Sequence, residues 1–124
     1  MKNPSINMIV SNLETRAMQS VASRNDLQVV RANGDSMAPG INDGDRVTIR
    51  RVTDMDEILY GQVYMVVTQN YTMLKRVKRC AQDEANYVIL HSDNPNYDDM
   101  KTHKSKILAL YLVEHVFSFR TLAQ

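Results

Sequence analysis

The chain has 124 residues, 44% of them hydrophobic and 23% charged, with a formal net charge of +1. That length suits one domain whose core needs no staples, and so small a net charge gives no electrostatic reason to expect a nucleic-acid or membrane surface. The single cysteine, Cys80, excludes an internal disulfide and fits a reducing compartment, and the scattered His91, His103 and His115 offer no zinc spacing.

In chain order, Met1-Lys2-Asn3-Pro4 lacks the apolar core and cleavage site of a secretory signal. No apolar run approaches the roughly 20 residues needed to span a bilayer. A cytoplasmic protein without a membrane partner is expected. Residues 5–24 carry the one helical period, with Ile6, Ile9, Val10, Leu13, Ala17 and Val21 at three- and four-residue steps. The reading is a helix or connector over residues 1–26, followed by a β domain over 27–124.

From residue 27 the chain turns to short β-type runs separated by turn residues. The expected strands are 27–32, 46–52, 62–69, 71–79, 86–91 and 106–117. Asn70 closes a hairpin between the third and fourth. Met55 to Gly61 reads as a short helical turn or loop ended by glycine. Six strands at this spacing predict a mainly β fold, a partly closed, barrel-like sheet. The run Ile107-Leu108-Ala109-Leu110-Tyr111-Leu112-Val113 is apolar on both parities. Such a strand is buried on both sides or pairs with another chain, and a homodimer using residues 107–119 is expected.

The first candidate for chemistry is Ser36, in the stretch Asn33 to Asp45, which holds three glycines, one proline and three aspartates. This stretch cannot be regular structure. Gly34-Asp35-Ser36 is either a plain turn or a turn that presents a nucleophile. Asp43 and Asp45 read as turn formers rather than acids, and the histidines as packing or surface residues. The cluster from Asp93 to Asp99 is interrupted by Pro95 and lacks the closing glutamate of a calcium loop. Neither a cofactor nor a metal is called for.

The second candidate is Lys75. If 71–79 is a strand, Met73, Lys75 and Val77 share one face, and Thr72, Leu74, Arg76 and Lys78 the other. Lys75 is then the basic residue on the inward face. Burial lowers a lysine's pKa, and a neutral amine near a serine hydroxyl is a competent base. The alternative is a solvated basic strand, Lys75-Arg76-Lys78-Arg79, touching phosphate.

Five blocks carry a resemblance: Gly34-Asp35-Ser36-Met37-Ala38-Pro39; Ile41-Asn42-Asp43-Gly44-Asp45; Gly61-Gln62-Val63-Tyr64; Leu74-Lys75-Arg76-Val77; and Ser92-Asp93-Asn94-Pro95-Asn96-Tyr97. In this order and spacing they resemble the C-terminal domain of LexA-type repressors, a family that includes phage repressors of the lambda type and the UmuD mutagenesis proteins. The resemblance covers about residues 27–117. It implies a Ser–Lys peptidase that cuts its own linker, with Ser36 as nucleophile and Lys75 as base. The inward parity of Lys75 and the turn position of Ser36 put the two within hydrogen-bond reach, roughly 2.6–3.2 Å or somewhat looser without substrate. It also implies that the backbone N–H groups of Asp35 and Ser36 stabilise the oxyanion.

Three features depart from the family pattern, one of them Ala109-Leu110-Tyr111-Leu112 in place of the glycine-containing strand usual near the family's C-terminus. The sequence holds no Ala-Gly or Cys-Gly pair, the bond cut in self-cleaving members, and residues 5–24 offer one helix where a helix-turn-helix needs two. The reading is therefore the peptidase and dimerisation half of a repressor, reaching DNA only through a separate N-terminal domain, or a stand-alone protein comparable to UmuD. A non-catalytic dimerisation module is the alternative. A type I signal peptidase shares the Ser-Met-x-Pro block but needs a membrane anchor.

Overall fold

The computed structural model describes residues 26–119. The helix expected over 5–24 lies outside them. Seven strands form one sheet: β1 (Gln28–Arg31), β2 (Arg46–Val52), β3 (Val63–Thr68), β4 (Thr72–Arg79), β5 (Tyr87–His91), β6 (Met100–His103) and β7 (Ile107–Phe117). Their spatial order is β1-β2-β7-β3-β4-β5-β6, with every neighbouring pair antiparallel. The mainly β expectation holds, and six strands stand within a residue or so of their expected places. The partly closed, barrel-like form does not hold: the sheet stays open because its edge strands, β1 and β6, do not pair with each other. No helix among the described residues is long and apolar enough to cross a membrane.

Alternation along the strands produces two cores. One contains Tyr64, Val66, Val77, Val88, Leu90 and Leu110, with Ile58 packed among them. The other contains Ala32, Met37, Ile41, Val47 and Ile49, backed by Leu74, Tyr111 and Val113. Successive residues of β3 and of the middle of β7 enter opposite cores, so these two strands are apolar on both parities because both faces are covered there. That explains β7. It lies between β2 and β3 and hydrogen-bonds to both. Its two edges are satisfied within the chain, so a second copy could meet residues 107–117 only through side chains such as the exposed Leu108 and Val116.

The strand the sequence does not announce is β6. Met100-Lys101-Thr102-His103 has no apolar alternation, and it pairs along β5 as a short, polar edge. Between β2 and β3, Met55–Glu57 forms a single 3-10 turn capped by the Asp54 carboxylate. Gly61 closes that connection at φ +92°. Its N–H donates to Val77 O at 2.8 Å, and its carbonyl accepts from Arg76 Nη1 at 2.6 Å. No atom lies within 4 Å of where a Cβ would stand. Gly61→Ala should therefore cost only the left-handed backbone penalty, about 1–2 kcal/mol, read as a lowered denaturation midpoint at unchanged m-value.

Candidate active site

Ser36 lies in the long connection between β1 and β2. This loop is held by its own aspartates: Asp43 accepts from Gly34 N–H at 2.8 Å, and Asp45 accepts from Asn42 N–H at 2.8 Å. Gly44 N–H donates to Ala32 O and Ala32 N–H to Asp45 O, which closes the neck of the loop. The reading of Asp43 and Asp45 as turn formers is borne out. Met37 and Ile41 plug the loop into the second core, which leaves Ser36 half-buried at the surface. Among the described residues, the N–H groups of Asp35 and Ser36 donate no hydrogen bond.

Lys75 stands on β4 with 6% of its surface exposed, on the inward parity deduced from the strand. The solvated basic strand is thereby excluded for this residue. Lys78 and Arg79 are exposed, and Arg76 is committed to an ion pair. Lys75 faces Tyr64 across the β3–β4 ladder, and among the described residues no carboxylate pairs with it. Burial without a counter-charge pushes its pKa below the ordinary 10.5.

The hydrogen bond of its amine does not go to Ser36. It goes to Ser92 Oγ, at 2.6 Å. The expected direct contact between Ser36 and Lys75 is absent because a nearer hydroxyl stands across the ladder. β4 and β5 pair Arg76 with His91, so one step further Lys75 and Ser92 face each other. Ser92 is 1% exposed.

The segment from Ser92 to Tyr97 nevertheless ties the two candidates together. Asn94 N–H donates to Ser36 O at 3.0 Å, and Asn94 Nδ2 donates to Asp35 O at 3.0 Å. Asp93 receives two hydrogen bonds from Arg76, from Nε at 3.0 Å and Nη2 at 2.6 Å. This pairing holds the Asp93 carboxyl below its usual range and raises Arg76. Tyr97 donates its hydroxyl to the Asp35 carboxylate, and its ring centroid lies 5.5 Å from the Lys75 amine. The bond to Asp35 raises the Tyr97 pKa. One six-residue segment thus holds the Ser36 turn at one end and Lys75 at the other.

The Peptidase S24-like family model matches residues 6–111. The chain belongs to this family. It is the family of LexA- and UmuD-type C-terminal domains, whose members are serine peptidases and autoproteases, and the resemblance read from the five blocks is confirmed. A comparison with curated proteins returned no match. In this Peptidase S24-like chain the histidines serve as packing and surface residues. His115 bonds Thr48 across β2–β7, His91 pairs with Asp99, and His103 caps a 3-10 turn at Ser105.

Ser92 and Tyr97 belong to the fifth block of the resemblance, which assigns them no role, and the structure sets both beside Lys75. The signal for Ser92 was available. Val88, Leu90 and Ser92 alternate, so the serine inherits the inward parity of its strand.

Proposed function

We propose that this chain is the Ser–Lys peptidase and dimerisation domain of a LexA- or UmuD-type cytoplasmic regulator, with its own linker peptide as substrate. The observation that carries the proposal is Lys75: a lysine buried on a sheet face, its pKa lowered and no carboxylate beside it. A structural lysine is normally solvated or paired, whereas a desolvated one can be neutral near pH 7 and accept a proton. Neutral Lys75 takes the Ser36 hydroxyl proton as Oγ attacks the linker carbonyl carbon. The oxyanion meets the N–H groups of Asp35 and Ser36. Lys75 then returns the proton to the leaving amine, and water hydrolyses the acyl-Ser36 ester with the lysine again as base.

An open groove of about 470 Å³ lies on the same sheet face. Arg50, Leu112 and Tyr64 line it, and they stand in one cross-strand row that ends at Lys75. An extended peptide in this groove would cross the strands toward the amine. Cutting the linker would part a DNA-binding head from the domain that dimerises it, and loss of the dimer would weaken operator binding.

The test mixes this chain with a Ser36→Ala copy fused to an upstream linker containing Ala-Gly, between pH 7 and 10. A single cut in the linker is expected, slow because the substrate is untethered, and faster as pH rises and Lys75 loses its proton. A folded domain that cuts at no pH would leave the non-catalytic dimerisation module as the better reading.

A further inference from the structure

We propose that Ser92 is the positioning residue for Lys75: its hydroxyl accepts a hydrogen bond from the amine and leaves the nitrogen lone pair free for Ser36. This rests on the reading of Lys75 as the base and adds to it a second serine with a distinct role.

The geometry allows three roles for Ser92. It could be the nucleophile itself, since 2.6 Å from a lysine amine is nucleophile–base distance. Its burial argues against this, because a serine 1% exposed and closed over by β4 and β5 cannot receive a peptide carbonyl. Ser36 is half-buried, on a surface loop, beside two undonated N–H groups. Ser92 could instead donate its proton to the lysine lone pair. That arrangement would occupy the electrons a base must use, and it exists only when the amine is neutral. In the third role Ser92 accepts from an amine N–H. This bond can form in both protonation states, so it holds the nitrogen in one place before and after proton transfer.

The acceptor role is favoured by the surroundings. Among the described residues, Ser92 Oγ is the one hydrogen-bond acceptor that Lys75 has. The remaining polar neighbour is the face of the Tyr97 ring, which also favours a cation. When Lys75 picks up the Ser36 proton, the new ammonium therefore has Ser92 and the Tyr97 ring to meet its charge. Both are in place beforehand, since Ser92 is fixed by the β4–β5 register and Tyr97 by Asp35.

The three roles predict different pH profiles. An acceptor stabilises charged Lys75, so its removal lowers the lysine pKa and moves the rising limb of the rate profile to lower pH. A donor stabilises neutral Lys75, so its removal moves the limb to higher pH. The experiment compares Ser92→Ala, Ser92→Thr and Ser92→Val in the linker-cleavage assay. In parallel, the titration of the Lys75 side chain is followed by carbon-13 NMR in a Ser36→Ala background, where no cleavage is needed.

Ser92→Ala and Ser92→Val should lower the Lys75 midpoint by about one pH unit, the scale of one hydrogen bond to a charged group. They should also lower the plateau rate about tenfold as the amine loses its fixed position. Ser92→Thr, which keeps the hydroxyl, should restore both. An upward shift or an unmoved midpoint would overturn the proposal, as would a Ser36→Ala protein that still cuts while Ser92→Ala does not. If the NMR midpoint shifts as expected but no variant cuts, Ser92 still positions the amine and the peptidase reading is the part that has failed.

Discussion

Lys75→Met is expected to abolish linker cleavage, by at least about 10³-fold, without lowering the thermal midpoint. The two readouts separate because the lysine's stability cost and its reactivity have one origin. A buried ammonium without a counter-charge is expensive, and methionine fills a similar volume with apolar atoms. Against that gain, Ser92 loses its partner, so the net stabilisation should be about 1 kcal/mol, and larger in Lys75→Met/Ser92→Ala.

The gain depends on pH. Folded Lys75 has its pKa below the unfolded 10.5, so between those two values the unfolded chain binds more protons. Wild-type stability therefore rises with pH through that window. The advantage of methionine is greatest below the lowered value and fades as pH approaches 10.5. Ser36→Ala should abolish cleavage equally while leaving stability almost unchanged, since its hydroxyl makes no hydrogen bond among the described residues. A Lys75→Met protein several degrees less stable than wild type would show that the lysine supports the sheet rather than the chemistry.

Arg76→Ala is expected to have the second largest effect, on stability and rate together. Arg76 makes two bonds to Asp93 and one to Gly61 O, so its loss strands a partly buried carboxylate and a turn carbonyl. The expected cost is about 2–3 kcal/mol. Cleavage should fall some 10–100-fold, because Asp93 lies between the residue that holds Lys75 and the residue that holds Ser36. The Lys75 midpoint should move little, which distinguishes this variant from Ser92→Ala. Because pairing depresses the Asp93 pKa, the ion pair's contribution is complete above the unfolded value of 3.8 and is lost as pH falls through the lower folded value. Acid denaturation of Arg76→Ala should accordingly be less steep below about pH 4. An unchanged urea midpoint would show the pair to be dispensable.

Much of this fold is legible in the residues because each strand is short and ends in turn chemistry. Gln69-Asn70 between two β-branched runs marks a hairpin, and Gly61 marks a left-handed corner. Parity alone placed Lys75 inside. The edge strand Met100–His103 was not legible, since a polar edge carries no alternation, and the interior place of β7 could not be told from an intermolecular edge. Within the site, residue type pointed to Ser36 and Lys75, but pattern could not say which hydroxyl the amine meets. That depends on strand register, which sets Lys75 opposite Ser92 rather than opposite a loop.

The position of β7 has a consequence for when the site comes into being. The Ser36 loop connects β1 and β2, while Lys75 and Ser92 belong to the β3–β6 half. The two halves join in the sheet only through β7, which is synthesised last of the seven strands. A nascent chain can therefore form both hairpin systems while lacking the seam that aligns them. Such a chain would carry every residue of the site, with the contacts of the Ser92–Tyr97 segment but not the sheet to hold the Ser36 loop against Lys75. Under the proposed Ser–Lys reading, full alignment of the two halves, and with it peptide-bond cleavage, would wait until the polypeptide has passed residue 117.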